Sequence, residues 1–366
     1  MQPAAHLQRT DFANLGGWAA DTFVEALSAF RRSASHAQTK PYRTGSLGLT
    51  PADFAPAYNV VLALNDADEG AARTFFETHF VPFSIQPSSG EAGFVTGYYE
   101  PIVQASRHQT ETFRYPILRR PDDLVDLDDG NRPVEMDPTF AFGRQTDAGI
   151  VEYFNRAEIE HGALDGRGLE MAWLEDRFAL FLIHVQGAAR LQFSDGEQRV
   201  TYAAKTGHPF TGPGKVLVET REISRSEVTI RKIRSWFQEK PERLSEILHQ
   251  NRSFIFFREA PVDDPELGPI AAAKVPLTPG RSLAVDRLIH TFGTPFFIQA
   301  PDLTEAGKPL ARLMIAQDTG SAILGPARGD LFIGSGDAAG EIAGVIKHLA
   351  HFTILIPTPA AERFGS

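Results

Sequence analysis

Three aspartates in the last third of the chain stand where apolar runs give way to glycine-rich turns. Asp286 follows Ser282-Leu283-Ala284-Val285, Asp318 follows Leu313–Gln317, and Asp330 precedes Leu331-Phe332-Ile333. Asp318 and Asp330 bracket a loop that carries Gly320, Gly325 and Gly329. A carboxyl at a strand end is held rigidly, and neighbouring glycines let a ligand come close to the backbone. Such groups can give and take protons. A single aspartate beside glycine reads as a turn former that bonds its own backbone. Three in one β-rich segment, two of them facing each other across one loop, favour chemistry.

Asp318-Thr319-Gly320 is also the local signature of an aspartic protease. That chemistry needs two carboxyls sharing one proton, and hence a second Asp-Thr/Ser-Gly. The sequence has only the permuted Ser194-Asp195-Gly196, in a hairpin turn, so the protease is kept as an alternative. Gly212-Pro213-Gly214-Lys215 resembles a phosphate loop, but Val216 stands where the metal-binding hydroxyl would be. Gly334-Ser335-Gly336…Gly340 has one residue too many for a dinucleotide fingerprint. There is no Gly-x-Ser-x-Gly elbow and no HExxH among the 11 histidines, so no metal or cofactor is expected.

Composition narrows the classes further. With 366 residues the chain is long enough for two domains. A net charge of −10 with no basic run makes nucleic acid a poor partner. Cysteine is absent, which removes disulfides, thiolate nucleophiles and cysteine metal sites together. Gly344–Pro357 is too short and too polar to span a bilayer, and the first residues lack the basic-then-apolar order of a signal peptide. An export segment is therefore either unneeded or absent from this sequence.

The elements that must hold these residues follow from periodicity. Residues 1–10 read as a loose tail. Phe12, Leu15, Ala19, Phe23, Ala26 and Phe30 recur at helical spacing, and a helical pair covers 51–64 and 69–80. Residues 93–101 read as a strand ended by proline, 116–140 as an irregular loop, and 174–184 as a helix. Asp195-Gly196 marks a hairpin, and helical patterns return at 225–238 and 241–250. From Ser253 on, short apolar runs alternate with Gly and Pro, as in a small β-barrel, with one helix over 337–349.

An ordered set of motifs runs through this pattern: Thr96-Gly97-Tyr98-Tyr99-Glu100-Pro101, Val185-Gln186-Gly187, Tyr202–Gly207, Gly214–Leu217, Asn251–Phe257 and Asp318–Gly336. Over residues 90–355 the chain resembles the membrane-bound lytic murein transglycosylase A (MltA) family. The resemblance implies a mainly β fold with peripheral helices. A double-psi β-barrel, the 3D domain named for three aspartates, would take residues 1–101 and 253–366. A second, mainly β domain would be inserted at 102–252, with a glycan groove between the two. It further implies a lytic transglycosylase of peptidoglycan that cuts the β-1,4 bond between MurNAc and GlcNAc and leaves 1,6-anhydro-MurNAc ends.

By that resemblance the acid/base is Asp330, with Asp318 in support and Asp286 structural. Burial against Leu331 and Phe332 and a charged Asp318 would keep Asp330 protonated near neutrality. Thr96, Tyr98, Tyr99, Gln186, Gly187, Lys205, Thr319 and Gly320 are the candidate glycan contacts. Neighbours on a strand face opposite ways, so Tyr98 and Tyr99 cannot both serve from one face. Family members are exported lipoproteins anchored through an N-terminal cysteine, which implies a periplasmic or outer-membrane location; the cysteine is missing here. A non-catalytic, expansin-like glycan binder remains the other alternative.

Overall fold

The computed structural model of the chain describes residues 5–64, 66–88 and 90–364. It divides into two compact units, Met1–Tyr99 with Asp264–Ser366, and Glu100–Asp263. Among the described residues of the first unit, one mixed sheet runs in the order Ala5–Arg9, Phe80–Pro87, His351–Pro357, Pro295–Glu305, Lys308–Asp318, Ser282–Val285, Arg328–Ser335, Phe94–Glu100 and Lys347–Leu349. Val95, Leu283, Val285, Leu331 and Ile354 point to one side. They belong to one hydrophobic core with Ala26, Phe30, Phe54 and Phe76 from the helices Val24–Thr39, Pro51–Ala63 and Glu69–His79. Phe30 anchors this core edge-on to Phe80, with centroids 5.5 Å apart at 86°. The helices start where local acceptors exist: Asp53 accepts the Thr50 amide at 2.7 Å, and Asp68 accepts the Ala71 amide at 2.8 Å.

The middle of the sheet carries one irregularity that matters. Ser282–Val285 pairs in parallel with Lys308–Asp318, Ser282 against Ile315 and Leu283 against Ala316; Ala284 then pairs with Asp318. Gln317 is the extra residue of a bulge. Its side chain is fully buried on the helical side. Gln317 Oε1 accepts the Ser282 hydroxyl at 2.5 Å, while Nε2 donates to Ala29 O at 2.8 Å and Ser33 Oγ at 2.9 Å. On the other flank, Ser282–Val285 pairs antiparallel with Arg328–Ser335, and Ala284 stands opposite Asp330.

The second unit is built on the strands Ile255–Ala260, Gly196–Lys205, Ala188–Phe193 and Ile102–Gln104, in that order. Phe178, Phe181, Ile233, Trp236 and Phe237 make a helical core beside it. Fully buried Glu100 accepts Arg199 Nε at 2.5 Å and Arg190 Nη2 at 3.2 Å. Removing either partner would leave charge uncompensated in the interior.

Several sequence expectations need correction. Residues 5–9 of the expected tail form a strand paired with Phe80–Pro87; residues 1–4 lie outside the described residues. The first helix begins at Val24, not Phe12, because Gly17 turns left-handed (φ 90°) with no room for a Cβ beside Ala311. Within the expected loop 116–140, Tyr115–Leu118 and Leu124–Asp126 pair as strands with Glu170–Leu174 and Phe142–Thr146. The last helix stops at Ala343, and Lys347–Leu349 pairs with Phe94–Thr96. Residues 253–263, expected with the barrel, fall in the second unit because Ile255–Ala260 pairs with Gly196–Lys205.

The buried Gln317 amide supplies a test of the bulge. Gln317→Leu takes the acceptor from the Ser282 O–H and removes the amide's bonds to Ala29 O and Ser33 Oγ, at about 1–3 kcal/mol for a buried polar group left unpaired. A drop in urea midpoint corresponding to about 2–3 kcal/mol, with unchanged slope, is expected. A loss below about 0.5 kcal/mol would show that the amide does not hold the bulge.

Candidate active site

Cross-strand partners share a face, so the two pairings of Ala284 put Asp318 and Asp330 on one row, on the face of the sheet opposite to Leu283 and Val285. Strand alternation adds Phe332 to that face, with Thr96 and Tyr98 from Phe94–Glu100. Tyr98, Ala284, Phe332 and Leu277 form a small buried cluster there, and the rings of Tyr98 and Phe332 lie 5.3 Å apart. Ala284, between the two carboxyls, is buried in this cluster. Their backbones stand two strand spacings apart, about 9–10 Å. An aspartic-protease dyad, with its carboxyls about 3 Å apart, is not what this spacing builds.

Asp330 is half-buried. Thr96 Oγ1 donates to its Oδ1 at 2.5 Å, and Arg328 Nη2 donates to Thr96 Oγ1 at 2.7 Å. Burial is the largest influence and disfavours the charged carboxylate; the Thr96 bond and the Arg328 charge pull the other way, and Asp318 adds a smaller push upward. The outcome is a pKa raised from an ordinary 3.8 to about 6. Phe332 and Tyr98 supply the apolar surroundings. Leu331, expected to share that task, points to the opposite face of the sheet, into the core it shares with Leu283.

Asp318 is bound on both oxygens. Tyr98 OH donates to Oδ2 at 3.0 Å and the Ala272 amide to Oδ1 at 3.2 Å. Burial raises its pKa as well, while these donors and the charge of Lys274 oppose the rise. Burial, with the two carboxyls nearby, holds the Tyr98 phenol far above its usual range, so it stays a donor. Asp286 is buried and committed to backbone, accepting Leu288 N at 3.0 Å and Gly325 N at 2.9 Å. It ties the turn after Ser282–Val285 to Gly325 within the Asp318–Asp330 loop.

The remaining sequence candidates fall in different places. Thr319 donates to Val285 O at 2.8 Å, and Gly320 is exposed beside it. Tyr99 points away from the carboxyl row, with its ring on Gly340, where a Cβ would come within 2.7 Å. Gln186 ends the helix Arg177–Gln186, Gly187 caps it in the left-handed region (φ 77°), and Lys205 ends a strand; all three belong to the second unit. Sequence reasoning missed Arg328 and Lys274. Arg328 had a signal, because alternation from Asp330 puts it on the same face. Lys274, in a left-handed turn (φ 62°) within Ala271–Val275, had none. Among the described residues no group of three or more His, Asp or Glu could hold a metal ion, and no helix is long and apolar enough to cross a membrane.

Known proteins resemble this chain in sequence and fold. Residues 94–258 match the MltA specific insert domain and residues 281–356 the 3D domain. A crystal structure of a membrane-bound lytic murein transglycosylase from Agrobacterium tumefaciens is 49% identical, with a TM-score of 0.92, over 98% of this chain and 99% of that one. Escherichia coli MltA with bound chitohexaose is 26% identical, with a TM-score of 0.70, over 98% and 96% of the two chains. The membrane-bound lytic murein transglycosylase A of Vibrio cholerae is 32% identical over 263 residues, 69% of this chain and 62% of that relative's length. The fold is thus that of a 3D-domain protein carrying an MltA insert. The chain belongs to the membrane-bound lytic murein transglycosylase A family.

The raised pKa of Asp330 has a thermodynamic counterpart. The folded state holds this proton more tightly than the unfolded chain, so stability falls as pH rises from about 4 to about 6, and the full penalty persists above. Asp330→Asn removes the titration. It should exceed the parent by about 1–3 kcal/mol at pH 7 and match it below about pH 4, measured by urea unfolding. A difference that does not change with pH would contradict the assigned pKa.

Proposed function

We propose that this chain is a lytic transglycosylase that cleaves the β-1,4 bond between MurNAc and GlcNAc of peptidoglycan, with Asp330 as the single acid and base. The observation that carries the reading is a half-buried carboxyl with a pKa of about 6, fixed on one oxygen by Thr96. Protonated Asp330 gives its proton to the glycosidic oxygen as the bond to the muramyl anomeric carbon breaks. The muramyl 6-hydroxyl attacks that carbon and returns its proton to the carboxylate. Asp330 ends as it began, no water is consumed, and the product carries a 1,6-anhydro ring. The attacking hydroxyl is already part of the sugar, so much of the entropy cost of bringing it to the carbon is met in advance.

A hydrolytic glycosidase would need a second carboxyl to hold water or attack the sugar. Asp318 has both oxygens bonded within the protein, which fits a supporting charge rather than a second reagent. Thr96, Thr319 and Gly320 lie around the two carboxyls as glycan contacts, while Tyr98, buried with its hydroxyl on Asp318, is better read as holding that carboxyl. Tyr99 is better read as packing, and Gln186, Gly187 and Lys205 as contacts elsewhere along a long glycan strand. We read the mixed sheet, with its parallel Ser282–Val285 pairing, as a double-psi β-barrel. A peptidoglycan substrate fits a periplasmic location, and relatives named as membrane-bound support association with a membrane, which we read as the outer one.

Two outcomes check the reading. Digests of purified peptidoglycan, resolved by mass spectrometry, should contain anhydromuropeptides, and Asp330→Asn should lower their formation by at least about 100-fold. Reducing ends would instead indicate a hydrolase, and unchanged glycan a binding protein. A general acid with a pKa near 6 also sets the pH profile: kcat/KM should fall about tenfold per unit above pH 6. A flat profile from pH 5 to 8 would remove Asp330 from the acid role.

A further inference from the structure

Arg328 precedes Asp330 by two residues on the same strand, so both side chains stand on one face. Its guanidinium lies 5.5 Å from the centroid of the Phe94 ring, donates through Nη1 to the Gly329 carbonyl, and donates through Nη2 to Thr96 Oγ1 at 2.7 Å. A guanidinium has no lone pair to offer, and a threonine hydroxyl has one proton. Thr96 Oγ1 therefore accepts from Arg328. The acceptor for its own proton is Asp330 Oδ1, 2.5 Å away. An oxygen already receiving a proton in so short a bond is a poor place for a second one, so the acidic proton of neutral Asp330 belongs on Oδ2.

We propose that Arg328 is a positioning residue that acts through Thr96: it fixes the Thr96 hydroxyl as a donor to Asp330 Oδ1 and so reserves Oδ2 as the one oxygen that gives and retakes the proton. This rests on the reading of Asp330 as the acid and base. In the first half-reaction the Oδ2 proton moves to the leaving oxygen, and the new carboxylate keeps the Thr96 bond. In the second, Oδ2 takes the 6-hydroxyl proton, with no rotation of the carboxyl in between. Arg328 also sets a ceiling on the Asp330 pKa, since its charge favours the carboxylate against burial. The other charged or titrating groups around this arrangement are Asp318 on the same row, Tyr98 bonded to Asp318, Lys274 beside Asp318, and Lys347, the register partner of Thr96.

The test compares Arg328→Gln, Arg328→Lys, Thr96→Val and the Thr96→Val/Arg328→Gln pair by the pH dependence of kcat and by carboxyl ¹³C NMR titration of Asp330. In Arg328→Gln the Asp330 titration and the alkaline limb of kcat should move up by about one pH unit, and the plateau should fall about 10- to 100-fold. Thr96→Val should shift both in the same direction. Arg328→Gln added to Thr96→Val should cost less than about threefold further in plateau, and Arg328→Lys, which keeps a charge and a donor, should recover at least about a third of the parental rate. A folded Arg328→Gln protein with the parental titration and plateau overturns the proposal, as do equal losses in both Thr96 backgrounds. If Arg328→Gln does not fold, Arg328→Lys and Thr96→Val decide. Should Asp330→Asn still cleave glycan, the reading of Asp330 fails, while the NMR titration separately reports whether Arg328 and Thr96 hold its carboxyl.

Discussion

A one-residue bulge at Gln317 sets the geometry on which the site depends. In an unbroken parallel register Ala284 would meet Gln317, and Asp318 would stand beside Val285, on the opposite face of the sheet. The extra residue moves Asp318 back by one step and turns it over, onto the row that Ala284 and Asp330 occupy. The inserted side chain is not wasted. Its amide ties the bulge to Ser282 on the neighbouring strand and to Ala29 and Ser33 on the first long helix. The bulge is therefore bonded from both the sheet and the helical layer, and the carboxyl row inherits that rigidity.

On this row the two aspartates receive different treatment from similar surroundings. Both are disfavoured as anions by burial. Asp318 has donors on both oxygens, from Tyr98 and the Ala272 amide. Asp330 has one donor, on Oδ1, and Arg328 reaches it through Thr96. The difference fits a division in which one carboxyl is held and the other is left able to exchange a proton. A single exchanging carboxyl is enough only when the substrate brings its own nucleophile, and the muramyl 6-hydroxyl is such a group.

Much of this could be read from residues alone, for reasons that are local. The strands Ser282–Val285, Pro295–Glu305, Lys308–Asp318, Arg328–Ser335 and His351–Pro357 each contain a short apolar run between Gly or Pro, and the helical pair near 51–80 has its caps in the sequence. Alternation was enough to separate Tyr98 from Tyr99. What could not be read depended on partners distant in sequence. The bulge at Gln317 depends on Ser282, Ser33 and Ala29. The strand Lys347–Leu349 looks like the end of a helix until Phe94–Thr96 is beside it. Gly17 ends the apparent helical pattern of 12–30 because Ala311 occupies the space a side chain would need. Lys274 approaches Asp318 through a turn with no motif of its own.

The central claim is that one carboxyl suffices because the sugar supplies the attacking oxygen. Cleavage of purified peptidoglycan in H₂¹⁸O, with the new muramyl ends weighed by mass spectrometry, tests it most directly. The account predicts new ends without ¹⁸O, each one water lighter than a reducing end. Stoichiometric ¹⁸O at the anomeric carbon would show that water attacks, and would contradict it.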